Sequence, residues 1–332
     1  MFAVILAGGK GMRLRPLTED MPKPMVLIGG KPILEHQLEV LCRYGIKDVY
    51  ILTGYMGDVI ENYFRHGKSY GVNITYLREK IPLGTAGPVK QLEGKIDKDF
   101  ILLYGDIVFN VKLKDFIAFH ESKKGAATLI VHPTDHLYDS DLIVTDDDST
   151  INRILPKPHE DGYYRNISNA AIYLLSPVVF KYIISGVQSD FMRDVFPIML
   201  QNSEKLFAYK TNEYIKDIGT FDRLKKVDSD FLTGRVKGSS KESPVPAIFI
   251  DRDGTLIKEI DFLHRTEDLE LYDFSSSAVG KLNQSEYLCI IVTNQSVVAR
   301  NLCNISTVQK IHNKLETLLG MDGVYYKNHN ND

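Results

Sequence analysis

Three glycines fall within four positions, Gly8, Gly9 and Gly11, and behind them stand the cations Arg13, Arg15 and Lys23. Glycine lets backbone amides approach a ligand closely and adopt positive φ. Amides turned inward from such a loop form a nest for anions, and an arginine fork matches phosphate oxygens. The apolar run before the loop, Met1 to Leu6, reads as a buried strand. A glycine loop after a strand, with cations behind it, calls for a polyphosphate. Two familiar phosphate loops do not fit. A P-loop ends in Gly-Lys-Ser/Thr, which is missing, and the dinucleotide fingerprint needs a glycine at position 14, where Leu14 stands. A second reactive candidate is Asp106, which follows the wholly apolar run Phe100–Tyr104 after Gly105. A carboxylate at the carboxyl end of a central parallel strand lies where such sheets bind their ligands.

The elements that must position these groups alternate. Ile33, Leu34, Leu38 and Leu41 mark an amphipathic helix from about Pro32 to Tyr44, with Gly45 at its end. Asp48–Thr53 reads as a strand, Met56–Phe64 as a helix and Val72–Leu77 as a strand. Gly84-Thr85-Ala86-Gly87 precedes a helical stretch through Leu92, and Thr85 suits its N-cap. Ala126–Val131 reads as a further strand. His132 and His136 have a helical metal-ligand spacing, but Pro133 between them opposes a helix. Asp146-Asp147-Asp148 lies between two apolar runs and reads as a solvated hairpin turn. Strand, helix, strand, helix, strand argues a parallel α/β sheet with right-handed crossovers.

The stretch Gly8-Gly9-Lys10-Gly11-Met12-Arg13-Leu14-Arg15-Pro16-Leu17-Thr18, followed by Pro22-Lys23-Pro24-Met25, resembles the opening of the sugar-phosphate nucleotidyltransferases. These enzymes join a nucleoside triphosphate to a sugar 1-phosphate and release pyrophosphate. Met12 stands where the family has threonine. The resemblance implies a Rossmann-like, mixed but mostly parallel sheet. It implies a triphosphate cradle from Leu6, Ala7, Gly8, Gly9, Gly11 and Met12, with Arg13 and Lys23 offsetting charge at the α-phosphate. It places Gly84 and Thr85 against the nucleotide base and gives Asp106 to Mg²⁺. Leu155-Pro156-Lys157-Pro158 is similar to the family's Glu-Lys-Pro, whose lysine meets the sugar phosphate. Asn169-Ala170-Ala171-Ile172-Tyr173 is similar to its Asn-Ala-Gly-Ile-Tyr sugar strand, with Ala171 for glycine. Asp217-Ile218-Gly219-Thr220 resembles its Asp-Ile-Gly-Thr segment, which makes Asp217 the second Mg²⁺ ligand. The resemblance runs from Met1 to about Leu232. It leaves no role for a general base, because a phosphate monoester is already anionic near neutral pH, its second pKa being about 6.

Residues 233–246, rich in Gly, Ser and Pro, have linker composition. The following strand Ala247–Ile250 ends in Asp251-Arg252-Asp253-Gly254-Thr255, and a strand Leu288–Val292 ends in Thr293-Asn294-Gln295-Ser296. These pieces resemble the haloacid dehalogenase-type phosphatases, nearest their histidinol-phosphate and heptose-bisphosphate branch. The resemblance implies Asp251 as nucleophile, Asp253 as acid/base, and Thr293 and Asn294 at the phosphoryl group. After a helix from about Ser306 to Leu319 and a strand near Val324, only Lys327 offers the lysine such enzymes need, and no later acidic pair remains. The expected organisation is a nucleotidyltransferase domain over 1–232, a linker over 233–246 and an incomplete phosphatase-like domain over 247–332, with little or no phosphatase activity.

Composition narrows the class. Apolar residues at 44% and charged residues at 25% suit a soluble globular protein. A net charge of -3 opposes a non-specific nucleic-acid binder. No apolar run reaches the ~18 residues of a membrane helix. Cys42, Cys289 and Cys303 read as buried thiols in a reducing cytosol, so a cytoplasmic place is expected. Gly29-Gly30-Lys31-Pro32 looks like the guanylyl-type members, so GTP is the expected donor. The phosphatase-like pieces point to a heptose 1-phosphate as acceptor, with mannose 1-phosphate next. A non-catalytic paralogue that binds a sugar nucleotide is the rival of another class. Monomer and homo-oligomer both stay open.

Overall fold

The computed structural model describes residues 1–320 apart from 135, 161 and 286. The chain divides into two compact units. One comprises Met1–Val131, Thr145–Ile154 and Asn169–Glu242; the other comprises His132–Val144, Leu155–Ser168 and the chain from Ser243 onward.

The first unit is built on the opening strand, Phe2–Ala7. Its apolar side chains are buried on both faces, as suits a central parallel strand. It pairs in parallel with Asp48–Thr53 on one side and Phe100–Tyr104 on the other. Asp48–Thr53 pairs in turn with Asn73–Arg78, also in parallel. Ser168–Leu175 runs antiparallel to Phe100–Tyr104, which makes the sheet mixed. The helix Ile33–Arg43 lays Leu34, Leu38 and Leu41 into the same core as Ile5, Ile51 and Leu103. Gly45 ends it with φ +74.

Three local readings change. The stretch after Gly87 is a 3₁₀ helix, Gly87–Leu92, and Thr85 does not cap it. The Thr85 hydroxyl instead donates to Asp190 Oδ2 at 2.8 Å and accepts from the Phe191 amide at 3.0 Å. The polar stretch 233–246 begins inside the first unit, with a short helix at Arg235–Gly238 that buries Val236. Buried Glu213 explains why: it accepts hydrogen bonds from the amides of Lys112 and Lys241, both at 2.9 Å, and from the Thr211 hydroxyl at 2.8 Å. The three cysteines are free thiols, yet only Cys289 is buried.

In the second unit Ala247–Asp251 and Leu288–Val292 pair in parallel, with the helix Ser275–Asn283 between them in sequence. The helix Ile305–Leu319 adds Ile311 and Leu315 to a core with Leu256, Ile257, Val279 and Ile291. The strand expected near Val324 and the candidate Lys327 lie outside the described residues. No described helix is long and apolar enough to cross a membrane.

Candidate active site

Parallel pairing brings two chain turns to one sheet edge. Leu6 lies opposite Tyr104, and the Gly105 amide donates to the Leu6 carbonyl at 2.9 Å. The glycine loop after Ala7 and the Gly105-Asp106 turn therefore emerge side by side. Gly105 is required at that crossing, since a Cβ there would lie 2.7 Å from the Leu6 carbonyl oxygen. Gly11 has φ +61, and its carbonyl accepts the buried Thr18 hydroxyl at 2.9 Å. The loop rims an open cleft of about 940 Å³. Leu6, Ala7, Gly8, Gly9, Gly11, Met12, Arg13, Lys23, Gly84, Thr85 and Asp106 all line it.

Asp217 reaches the same place from far along the chain. Its strand, Ile215–Asp217, runs antiparallel to Ile107–Phe109, with Asp217 opposite Ile107. The Ile218 amide donates to the Asp106 carbonyl at 3.1 Å, so the two acidic residues flank one backbone crossing. Each carboxylate carries a cation. Lys23 Nζ pairs with Asp106 Oδ2. Arg223 Nη1 lies 3.0 and 3.1 Å from the two Asp217 oxygens, and the Gly219 amide donates to Oδ1 at 2.6 Å. Burial alone would raise the Asp217 carboxyl, but Arg223, the Gly219 amide and Lys23 outweigh it and hold the group below its usual range. Arg13 converges on the same point. A methyl built on Gly219 would lie 2.5 Å from Asp217 Oδ1, 3.1 Å from Arg13 Nη2 and 3.3 Å from Arg223 Nη1.

This donor set fits a divalent cation of the magnesium type. Among the described residues no three His, Cys, Asp or Glu side chains gather to cage a metal. Magnesium needs no cage: it takes one or two carboxylates and fills its shell with phosphate oxygens and water. His132 and His136 form no such group; His136 Nδ1 is 2.9 Å from the Ser140 hydroxyl.

Asn169 and Lys157 are placed differently. The Asn169 side chain turns onto its own strand, donating to the Tyr173 hydroxyl at 2.9 Å and accepting from the Ala171 amide at 3.1 Å. It does not line the cleft. Lys157 belongs to the second unit, where its ammonium donates to the Asp139 carbonyl at 2.8 Å and its amide donates to Asp141 Oδ1 at 3.1 Å.

Three residues of the site escaped the sequence reading: Glu79, Arg223 and Gln37. Glu79 lines the cleft immediately after the strand Asn73–Arg78, so the strand-end rule that picked out Asp106 would also have found it. Burial raises its carboxyl, opposed in part by the Leu83 amide at 3.2 Å. The movable end of its side chain lies against Gly8, where a Cβ would meet Glu79 Oε1.

Residues 2–234 match the nucleotidyl transferase family. The chain belongs to it. Its likeness to named members is closer still. It is 34% identical over 242 residues to the mannose-1-phosphate guanyltransferase of Saccharomyces cerevisiae, which covers 71% of this chain and 64% of the yeast protein. With the mannose-1-phosphate guanyltransferase of Pichia angusta the identity is 35% over 240 residues, covering 70% of this chain and 63% of that one. The chain thus spans less than two thirds of the length of these relatives. Among solved structures it is similar to HddC from Yersinia pseudotuberculosis complexed with GMP-PN, at a TM-score of 0.60 and 28% identity, covering 69% of this chain and 99% of that one. The mixed α/β nucleotidyltransferase fold is therefore shared. The carboxyl-terminal segment lies beyond the family match.

In that segment Asp253 and Thr293 do come together, with the Thr293 hydroxyl donating to Asp253 Oδ2 at 3.0 Å. Arg252, only 2% exposed, holds both Asp253 oxygens through Nε and Nη2 at 2.8 to 3.2 Å. Asp251 Oδ1 accepts the Arg252 amide at 2.7 Å, and Asn294 is exposed.

Proposed function

We propose that this chain transfers a guanylyl group from GTP to a sugar 1-phosphate, with release of pyrophosphate. The observation that carries the reading is that Asp106, Arg13 and Lys23 line a glycine-rimmed cleft and that Asp217 lies directly behind them, bonded to the amide of the lining residue Gly219. An oxygen of the sugar phosphate attacks the α-phosphorus; a new P–O bond forms, and the bond to the β-phosphate oxygen breaks with its electron pair leaving on pyrophosphate. Amides of Gly8, Gly9 and Gly11 would hold the triphosphate, and Arg13 and Lys23 would offset the charge of the leaving pyrophosphate. Asp106 and Asp217 would hold Mg²⁺, which when bound shields phosphate charge. Lys157 would meet the sugar phosphate and Asn169 the sugar.

Two observations support guanine. The relatives named above are guanyltransferases or hold a guanine nucleotide. Glu79, an acceptor-only group when ionised, faces the cleft and suits the N1–H and 2-amino donors of guanine, which adenine lacks. Glu79→Gln is expected to lower kcat/KM for GTP relative to ATP on the order of tenfold; an unchanged ratio would remove Glu79 from base selection. Mannose 1-phosphate is the favoured acceptor, because the relatives named above carry it in their names. The phosphatase-like pieces favour a heptose 1-phosphate as the second reading.

The test is pyrophosphate release from each of four nucleoside triphosphates with mannose, glucose and heptose 1-phosphates. GTP with mannose 1-phosphate should turn over fastest. No release with any pair would overturn the reading in favour of a non-catalytic sugar-nucleotide binder.

A further inference from the structure

We infer that the helix Ile305–Leu319 braces the loop that carries Lys157, and that Glu316 is the positioning residue through which it acts. This rests on the reading that Lys157 meets the sugar phosphate. Every group involved belongs to the second unit. The Glu316 carboxylate, 5% exposed, accepts the Asn166 amide at 2.7 Å. Asn166 passes the restraint on, accepting from the Thr134 amide at 2.9 Å and donating to the Thr134 carbonyl at 2.8 Å. One residue further along the helix, Thr317 Oγ1 accepts the Tyr164 amide at 3.2 Å. Two consecutive helix residues therefore capture two alternate amides of one loop.

The near end of that loop is held by the companion segment. Besides the Lys157 contacts with Asp139 and Asp141, His159 Nε2 lies 2.6 Å from the Ser140 carbonyl, and the Tyr138 hydroxyl donates to the Gly162 carbonyl at 3.0 Å. A buried carboxylate is costly unless hydrogen-bonded, and a charged acceptor on a backbone amide is among the stronger hydrogen bonds. Glu316 and Thr317 are not among the residues expected to carry phosphoryl chemistry in this segment, Asp251, Asp253, Thr293 and Asn294. The appended segment thus shapes acceptor binding independently of any phosphatase activity.

The experiment measures steady-state pyrophosphate release by the full chain with GTP and mannose 1-phosphate, beside thermal unfolding. Glu316→Ala should raise KM for the sugar phosphate about tenfold through loss of a charge-assisted bond, with KM for GTP within about twofold. Glu316→Gln keeps an acceptor oxygen and should restore most of the loss. An unchanged sugar-phosphate KM in Glu316→Ala, or an equal rise in both KM values, overturns the brace. If Glu316→Ala does not fold, Thr317→Val decides: a severalfold rise confined to the sugar phosphate supports the brace, and no change overturns it. Lys157→Ala separates the two layers. If it leaves the sugar-phosphate KM unaltered, the reading of Lys157 fails and the inference with it; if it raises KM while the helix variants do not, the brace alone fails.

Discussion

Asp106 and Asp217 each combine a cation partner with a place at a strand end, and that combination separates their work from ordinary surface carboxylates. Asp106→Asn keeps the shape of the side chain and removes its charge. It is expected to lower turnover by about 10²- to 10³-fold or more, the range seen for lost charge-stabilising groups, with the unfolding temperature nearly unchanged. Pyrophosphate release and circular dichroism read the two quantities, and a variant that keeps full turnover would take Asp106 out of the site. Ala171 makes the opposite case. It holds φ +56 in a strand where the resembling family has glycine. A left-handed conformation costs an L-residue about 1–2 kcal/mol, whereas glycine gives back roughly half of that through chain entropy. Ala171→Gly should therefore stabilise the first unit by up to about 1 kcal/mol, a rise of a few degrees in Tm. A lower Tm would show that the Ala171 methyl contributes packing which outweighs the strain.

At the scale of elements, the site depends on how the Tyr104–Ile107 turn is pinned. Gln37, on the helix Ile33–Arg43 and 1% exposed, donates its amide to the carbonyls of Tyr104 at 2.9 Å and Ile107 at 2.8 Å. Those carbonyls bracket Gly105-Asp106. Gln37→Leu keeps the volume and strands both acceptors, so it should cost about 2–4 kcal/mol and reduce turnover on the order of tenfold through a misplaced Asp106. Urea unfolding and initial rates measure these, and intact turnover in a folded variant would show that other bonds hold the turn. The sequence placed the helix correctly from Leu34, Leu38 and Leu41. It gave no sign that two polar residues on that helix, His36 and Gln37, would be buried, because 3.6-residue periodicity marks apolar positions and passes over buried polar groups. The local-cap reading of Thr85 failed for a related reason. Its hydroxyl suited a local cap, yet Asp190 and the Phe191 amide, distant in the chain, offered it partners.

At the scale of the whole molecule, the second unit brings a pH response of its own. His312 is buried in the second unit, where burial first and then the positive charge of Arg252 push its imidazole down to about 3. The unfolded chain would bind that proton near pH 6.5, and the folded unit refuses it until about pH 3. Stability is thus fully present above pH 6.5 and falls with acid, by up to about 1.4 kcal/mol per pH unit from this one group. Intrinsic fluorescence or circular dichroism during urea unfolding at pH 7.5, 6 and 5 should show that loss. His312→Gln should flatten it, and an equal slope in the variant would assign it to other groups.

The order of the main elements, the place of the glycine loop and of Asp106 at the strand ends, and the nearness of Asp217 to Asp106 expected from the family resemblance were legible in the residues alone. Buried parallel strands are written as unbroken apolar runs, and a ligand-facing loop must follow where such a run stops. Other features required the folded chain: Glu79 against Gly8, Arg223 on Asp217, Gln37 under the Asp106 turn, and the division that puts Lys157 with Glu316. Gln37 with the Asp106 turn and Glu316 with Asn166 are polar contacts between segments far apart in sequence, and hydrogen bonding of that kind leaves no periodic trace. Local chemistry is encoded locally, whereas the choice of partner for a buried polar group is made by the three-dimensional crossing of strands and helices.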